Sequence, residues 1–401
     1  MVSEHEVLLT DAESGKWLEE YHLSSTDGVQ LAGSTDWSIH KRTLRGGLSD
    51  GVDVVTVDNG ALSFDVLPTR GMGLWRGEYQ GIDLGWRSPV KHPVHPAFVN
   101  LTERQGLGWL AGFNEWMCRC GLSSFGAPGN DIVEKEDALP VETPLTLHGR
   151  IANTPAHRVS AWVDGKERGT LAVQGEMEEA SLFGPKLRLI STVQTVAGSN
   201  SIEIVDEITN LSDESGELQI LYHTNMGPPL LEQGARIVAG FKRIAPCNEH
   251  AAASIESWDI CAAPTTGFLE QCYFIEPIAN GNGDAHVMLC NAAADKGFSL
   301  SFNVQELPCL TVWKNTAGNN DGYVTGLEPG TSYPNLKSFE RQHGRVLLLS
   351  PGETYRTSLK ITIHGDADSV ADKAEEIHQQ MAGCSPTLHR EMHPDFSPLV
   401  G

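Results

Sequence analysis

Three titratable side chains, each beside a β-prone run, have the chemistry that proton transfer needs. Glu328 lies in the turn-rich segment Gly-Leu-Glu-Pro-Gly, His148 in Leu-His-Gly-Arg and His223 in Leu-Tyr-His-Thr-Asn. Imidazole titrates near neutral pH and a carboxyl group can be tuned towards it, so together they can give and take protons on opposite sides of a bound molecule. The sequence predicts that these three side chains converge on one site, with Glu328 in a turn and His223 at the end of a strand.

Five more residues near these segments are candidates for contacts with the bound molecule: Arg70, Arg150, Asn225, Trp313 and Lys314. Arg150 follows the first histidine by two residues, so it points to the same side if the segment is extended. Its guanidinium suits vicinal hydroxyls or a carboxylate. Arg70 precedes glycines that allow close backbone approach. A surface position for Arg70 and a core position for Trp313 are the alternatives.

The composition excludes several classes of protein. The 401 residues are 40% hydrophobic and 20% charged, as in ordinary soluble globular chains. A net charge of -23, from 52 acidic and 29 basic residues, argues against nucleic acid and anionic membranes as partners. The N-terminal segment lacks the features of a secretory signal, and no apolar run approaches the length of a membrane span. We therefore expect a soluble, cytoplasmic protein whose partner is a small molecule; the oligomeric state is left open.

The eight cysteines are expected to be free thiols, because the chain is long and shows no secretory signal. Cys118-Arg119-Cys120 has neither the two-residue spacing nor the second pair of a zinc site. His92 and His95 lie in a proline-rich segment with no acidic third ligand nearby. We expect neither a metal nor a cofactor.

The hydrophobic pattern changes twice along the chain. Residues 11–25 have apolar positions at helical spacing, which predicts a short amphipathic helix in an N-terminal arm (residues 1–45). Short alternating runs between glycines and prolines then predict an all-β domain over residues 46–365, with a clear hairpin in residues 186–225. Val370, Ala374, Ile377 and Met381 return to helical spacing, so a C-terminal helix and a surface tail are predicted for residues 366–401. Many short strands without βαβ alternation indicate a sandwich or barrel.

The residues of these motifs and their order along the chain resemble those of the aldose 1-epimerase, or galactose mutarotase-like, superfamily. That superfamily has a Leu-His-Gly element, a strand-end His and a late Leu-Glu-Pro element in the same sequence. The segment from Gly106 to Leu122, the Leu-His-Gly-Arg-Ile run and Tyr-His-Thr-Asn are similar to its DUF4432 branch. The resemblance covers roughly residues 50 to 365 and implies a galactose mutarotase-like β-supersandwich.

The resemblance also implies a function and a role for each residue. It identifies an aldose 1-epimerase-like isomerase that interconverts sugar anomers by ring opening, without a cofactor. Glu328 as a carboxylate would take the proton of the anomeric hydroxyl, protonated His223 would give one to the ring oxygen, and His148 would bind the sugar. Two alternatives are another proton transfer on a modified sugar, such as isomerisation or elimination, and a carbohydrate-binding protein without turnover.

Overall fold

The computed structural model describes residues 4–29, 31, 36–133, 141–165 and 169–398. The strands, in chain order, are β1 (Glu4–Asp11), β2 (Lys16–Trp17), β3 (Glu20–Ser24), β4 (Ser38–Thr43), β5 (Asp53–Asp58), β6 (Leu62–Leu67), β7 (Gly73–Tyr79), β8 (Ile82–Leu84), β9 (Met117–Leu122), β10 (Gly129–Val133), β11 (Val141–Leu145), β12 (Arg158–Asp164), β13 (Thr170–Ala180), β14 (Lys186–Val196), β15 (Ser201–Asn210), β16 (Gly216–Met226), β17 (Arg236–Ala239), β18 (Phe241–Pro246), β19 (Gln271–Pro277), β20 (Asp284–Cys290), β21 (Gly297–Asn303), β22 (Cys309–Asn315), β23 (Val324–Gly330), β24 (Leu347–Leu349), β25 (Thr354–His364) and β26 (Thr387–Leu388).

Helices are few and mostly short. The α-helices are α1 (Glu103–Gly106), α2 (Glu249–Ala252), α3 (Lys337–Gln342) and α4 (Ala367–Gln380). The 3-10 helices are Ser25–Asp27, Gly47–Ser49, Pro68–Arg70, Pro96–Phe98, Gly108–Ala111, Ile151–Asn153 and Ile255–Ser257. Among the described residues, no helix is both long and apolar enough to cross a membrane.

Two large sheets pack on one another. A ten-stranded sheet has the order β17-β20-β21-β25-β15-β14-β13-β12-β1-β2. A fourteen-stranded sheet has the order β26-β18-β19-β22-β23-β16-β9-β7-β6-β5-β4-β3, with β24 and β8 attached to β16 and β7. One apolar core contains residues of both sheets, such as Leu189 and Ile204 of the first and Phe64 and Tyr222 of the second. The predicted all-β sandwich is therefore confirmed.

The hairpin predicted in residues 186–225 is confirmed and shows how the sequence builds the sandwich. Every second residue of β14 is buried while its neighbours are partly exposed, as period two requires. Gly198 has a φ of +73° in the turn that connects β14 to β15. The next strand, β16, differs because nearly all of its residues are buried, on both faces. One face of β16 packs into the core between the sheets, and the other is covered by the segments that build the site.

The helix predicted over residues 11–25 is wrong. Those residues form β2, β3 and the end of β1, and only the 3-10 turn Ser25–Asp27 is helical. The reason is tertiary pairing: β1 and β2 complete one edge of the ten-stranded sheet, while β3 pairs with β4 at the edge of the other. The spacing of Trp17, Leu18 and Tyr21 fits a helix, but strand pairing outweighs a weak local preference. The domain boundary at residue 45 stays a prediction, although residues on its N-terminal side belong to both sheets.

The predicted C-terminal helix is confirmed as α4. Its N-cap is Asp366, whose side chain accepts a hydrogen bond from the Ser369 backbone N–H. Val370 and Ile377 are buried against the ten-stranded sheet. The tail beyond it is anchored, since β26 pairs in parallel with β18 and Phe396 packs against the ring of Tyr333.

Candidate active site

Neighbouring strands in the middle of the fourteen-stranded sheet bring Glu328 and His223 together. The register between β16 and β23 places Thr224 opposite Leu327 and Asn225 opposite Gly326, so His223 and Glu328 occupy the next opposed pair. His223 Nε2 lies 3.3 Å from Glu328 Oε1. The expectation that Glu328 sits in a turn is wrong: it lies inside β23 and is 2% exposed. His223 likewise lies three residues before the end of β16.

Gly326 makes the room that the Glu328 carboxyl group occupies. A Cβ atom at this position would lie 2.4 Å from Glu328 Oε1 and 3.2 Å from Trp313 Cε3. Because real Cβ atoms do not approach so closely, any other residue at position 326 would displace the carboxyl group. The glycine of the Gly-Leu-Glu-Pro-Gly motif therefore sets the position of the acid.

A tight turn brings His148 to the same place. His148 has a φ of +56° and Gly149 a φ of +72°. A Cβ atom on Gly149 would lie 2.1 Å from the backbone oxygen of Ser124, so the turn docks on the end of β9 only with glycine there. The His148 ring lies 5.4 Å from the His223 ring, measured between centroids. The predicted convergence of Glu328, His148 and His223 is thus present in the structure.

Aromatic rings surround the two histidines. Trp109 lies 4.7 Å from the His148 ring, Phe113 lies 5.0 Å from the His223 ring, and Trp313 lies 5.3 Å from it on another side. Trp313 was predicted to contact the bound molecule, and its place beside His223 is compatible with that role. The sequence reasoning did not assign Trp109 and Phe113 to the site, although both lie in the motif from Gly106 to Leu122, and the density of aromatic residues and glycines there was the available signal.

Asn225 orients His223 and fixes its tautomer. The Asn225 side-chain N–H groups donate to the backbone oxygens of Glu115 and His223, at 3.0 and 3.1 Å. Its Oδ1 is therefore the acceptor in the 2.7 Å contact with His223 Nδ1, which must carry a proton. In neutral His223 the lone pair is then on Nε2, the atom that faces Glu328. Asn225 was predicted to contact the substrate, whereas its side-chain bonds are to protein groups.

Burial favours the uncharged form of every titratable group in the site. It raises the pKa of Glu328 well above the usual value, and the negative charge of Glu270 adds to this. Burial lowers the pKa of His223 to about 4, against the opposing effect of the Asn225 hydrogen bond, and it lowers the pKa of His148 well below 6.5. The resemblance implies an ionised Glu328 beside a protonated His223, whereas the burial of both groups favours the opposite charge states.

Several buried polar atoms of the site have no hydrogen-bond partner in the described part of the chain. They are His148 Nδ1, Glu328 Oε1, Trp109 Nε1 and Thr311 Oγ1. Glu328 Oε1 is within reach of His223, but the contact lacks hydrogen-bond geometry. Thr311 is directly opposite Glu328 in the pairing of β22 with β23. Since buried polar atoms are nearly always paired in native proteins, this cluster indicates groups kept for a ligand or water.

Arg70 lies in the layer behind the site and is 1% exposed. Its guanidinium donates to Glu115 Oε1 at 2.9 and 2.8 Å, to the Gly112 backbone oxygen at 2.9 Å, and to Asn153. Glu115 also accepts a hydrogen bond from the Asn114 backbone N–H. Arg70 therefore holds the segment that carries Phe113, and we propose a positioning role for it in place of the predicted contact with substrate.

The remaining two predicted binding residues are not brought into the site. Lys314 follows Trp313 in β22 and so points to the opposite face, where its Nζ donates to the backbone oxygens of Ser257 and Ile260 at 3.1 and 2.6 Å. Arg150 is exposed, and its segment is a turn leading into a 3-10 helix rather than the extended chain we assumed. The premise that Arg150 points to the same side as His148 is therefore wrong.

Glu270 is a second carboxylate near the site, and sequence reasoning missed it. Its Oε2 accepts a hydrogen bond from Trp313 Nε1 at 2.7 Å, and its charge contributes to the raised pKa of Glu328. It lies in an exposed segment before β19 without a recognisable motif. Glu270 fixes the indole of Trp313 that faces His223.

One group of residues in the described chain has the spacing of metal ligands, on the outer part of the ten-stranded sheet. Ligand atoms of His157, Glu176 and Glu178 lie within 4.8 Å of one another. Glu176 is also 3.7 Å from the guanidinium of Arg188, which balances part of its charge. Glu176 and Glu178 lie in the ten-stranded sheet and not in the sheet that carries Glu328 and His223, and we assign no metal to the group.

Two surface cavities lie outside the cluster of Glu328 and the histidines. One, of about 630 Å³, is lined by residues that include Trp75, Trp86, Arg87, Lys91 and Asn114. The other, of about 470 Å³, lies over β4 to β7. Neither is lined by Glu328, His223 or His148.

Comparison with known proteins identifies the family of the chain. The family model described as "Domain of unknown function (DUF4432)" matches residues 49–363. The chain belongs to this family. No curated protein matches this DUF4432 protein.

Solved structures similar to the DUF4432 protein share its architecture. A crystal structure from Klebsiella pneumoniae subsp. pneumoniae MGH 78578, named a "putative aldose 1-epimerase", is 36% identical, with a TM-score of 0.90 over 98% of this chain and 99% of that chain. A galactose mutarotase-like protein from Clostridium acetobutylicum is 15% identical, with a TM-score of 0.57 over 83% of this chain and 100% of that chain. The predicted mutarotase-like fold is thereby confirmed.

Proposed function

We propose that this protein is an aldose 1-epimerase-like isomerase, which interconverts the α and β anomers of a sugar by opening and reclosing its ring. The observation that carries the proposal is the 3.3 Å separation of Glu328 Oε1 and His223 Nε2 inside a buried site. The name of the 36% identical K. pneumoniae protein supports it. A carboxyl group and an imidazole at this distance can serve as the acid and the base of one proton transfer.

The reaction needs two proton transfers in opposite directions. A base takes the proton of the O1 hydroxyl while an acid gives a proton to the ring oxygen, so that the C1–O5 bond breaks and a C1=O bond forms. Rotation about C1–C2 and the reverse transfers close the ring on the other face of C1. Since one proton is taken up and one is released, the net charge of Glu328 and His223 is unchanged.

The pair therefore works with a single proton shared between its two members. In the ionic form, Glu328 is the base and His223 the acid, as the resemblance implies. Burial favours the neutral form, and hydroxyl groups of a bound sugar stabilise the ionic form by donating hydrogen bonds to the carboxylate. Both forms contain the same number of protons, so they share one macroscopic pH dependence. We assign to His148 Nδ1, which is unpartnered, a contact with a sugar oxygen.

The test is polarimetry with freshly dissolved α-glucose, α-galactose and several pentoses. The expected result is equilibration of the optical rotation faster than in buffer, abolished by Glu328→Gln. Formation of a new compound by NMR would instead establish isomerisation or elimination on the same site. Binding of these sugars without acceleration would contradict catalysis and leave a carbohydrate-binding protein.

A further inference from the structure

The 630 Å³ cavity adjoins the proposed active site but is separated from its histidines by one layer of aromatic rings. Trp86 lines the cavity and packs against Phe113 with 5.1 Å between centroids, and Phe113 in turn packs against His223. Its volume is in the range of small-molecule sites, about 300 to 1,000 Å³. We propose that this cavity binds an anionic monosaccharide, a sugar that bears a phosphate or carboxylate group.

The charge of the residues that line the cavity favours an anionic ligand. The protein has a net charge of -23, yet the lining has three cations, Arg76, Arg87 and Lys91, and no acidic residue. Arg76 is engaged, because it lies 3.1 Å from Asp65 and stacks on Trp75. Arg87 and Lys91 are exposed and have no acidic partner among the described residues. Two unpaired cations in a strongly acidic protein give this cavity a local field opposite to that of the whole.

The aromatic residues that line the cavity favour a sugar ring as part of the ligand. Trp86 is held in place because its Nε1 donates to the Glu115 backbone oxygen at 2.9 Å. Cβ atoms at Gly227 and Gly322 would lie 3.0 and 3.1 Å from Trp86 atoms, so both glycines let the backbone close around the indole. A fixed indole that lines an open cavity presents an apolar surface with defined orientation, which suits the C–H face of a sugar.

A buried amide oxygen, that of Asn114, offers a hydrogen-bond acceptor to a sugar hydroxyl. Asn114 lines the cavity and is 3% exposed, and its Nδ2 donates to the Val90 backbone oxygen at 3.0 Å. Its Oδ1 has no partner among the described residues. An unpaired acceptor requires a donor, and a sugar hydroxyl is one. A free inorganic anion would satisfy Arg87 and Lys91 but would use neither the Trp86 face nor this acceptor.

Binding to the full-length protein tests the proposal, with galactose, galacturonate, galactose 6-phosphate and inorganic phosphate as probes in titration calorimetry. We expect the two acidic sugars to bind more tightly than galactose, with an advantage that falls as salt rises. The variant Arg87→Gln/Lys91→Gln should lower their affinity on the order of tenfold. The matched control Arg356→Gln/Lys360→Gln removes two exposed cations from β25 of the other sheet and should have no effect.

Four outcomes would overturn the proposal. Equal affinity for galactose and the acidic sugars would remove the role of the cations, as would a normal affinity in the Arg87/Lys91 double variant. Phosphate binding as tightly as galactose 6-phosphate would reduce the cavity to an anion site. Loss of binding in Glu328→Gln would place the ligand at the catalytic pair instead. Because these are binding measurements, they hold whether or not the protein accelerates anomerisation.

Discussion

Replacing Glu328 by glutamine separates a catalytic role from a structural one. The change keeps the shape of the side chain and removes its ability to exchange a proton with the substrate. Acid–base catalysis by one side chain contributes about 10²- to 10⁴-fold, which corresponds to about 3 to 5 kcal/mol of transition-state stabilisation. Neither nearby carboxylate is free to replace it, since Glu115 is bound to Arg70 and Glu270 to Trp313. We therefore expect a loss in the upper half of that range.

The stability of the Glu328→Gln variant, unlike its activity, should rise relative to that of the wild type as the pH increases. A carboxyl group whose pKa is raised by folding stabilises the protein below its unfolded pKa, and this contribution is lost as pH rises through the folded pKa. Each unit by which the pKa of Glu328 is raised corresponds to about 1.4 kcal/mol. Glutamine does not ionise, so the melting temperature of the variant relative to wild type should increase between about pH 5 and pH 8.

Polarimetry with α-galactose and thermal melting of the same samples provide the two measurements. Glu207→Gln makes the same chemical change at an exposed position of β15 in the opposite sheet and should leave both unchanged. Glu328→Gln with at least half of the wild-type rate would refute the catalytic assignment. A melting temperature that falls in parallel with activity would show that Glu328 is needed for folding rather than chemistry.

Three further predictions concern pH, orientation and the layer beneath the site. The rate should be constant through neutral pH and should decrease near pH 4, because His223 has a pKa lowered to about 4 and there takes up a proton in addition to the one on Glu328. If the background-corrected rate already begins to decrease at a pH above 6.5, the pair is not desolvated. Asn225→Ala should reduce kcat about tenfold with little change in KM, since one hydrogen bond of about 1 kcal/mol no longer orients the ring. Because that bond raises the pKa of His223, the acid limb should also move to lower pH, and an unmoved limb would contradict the orienting role. Arg119→Met should cost about 3 to 5 kcal/mol in urea unfolding, because it leaves Asp206, 0% exposed, without its ion-pair partner; a cost below about 1 kcal/mol would show that the pair contributes little.

The sequence predicted those parts of the fold whose pattern is local and strong. The alternation in Lys186–Val196 and the helical spacing of Val370 and Ile377 each specified the correct element. The helix prediction for residues 11–25 failed because these residues form strands at the edges of the two sheets, and the two-residue strand β2 carries too few positions to show a period. Sheet order has no local signature, so it was not predicted.

The sequence predicted which residues come together but not their environment. His148, His223 and Glu328 are recognisable by type and motif; strand pairing brings His223 and Glu328 together, and a tight turn adds His148. The charge states depend on how deeply the pair is buried, which is decided by Trp109 and by other residues far away in the chain. Lys314 was misplaced for a simple reason: adjacent strand residues point to opposite faces, so it and Trp313 cannot both face the same ligand.

Strand β16 places neighbouring residues in two very different settings. Tyr222 donates a hydrogen bond to Asp206 at 2.8 Å in the core between the sheets, where Arg119 also binds that carboxylate, while His223 points outward to Glu328. These contacts fix the strand beneath the proposed catalytic pair to the opposite sheet. Movement that adapts the site to a bound molecule is therefore expected on the other side of the pair, in the short segment that carries Trp109 and Phe113. The rate of that movement would then set an upper limit to turnover, however fast the protons move.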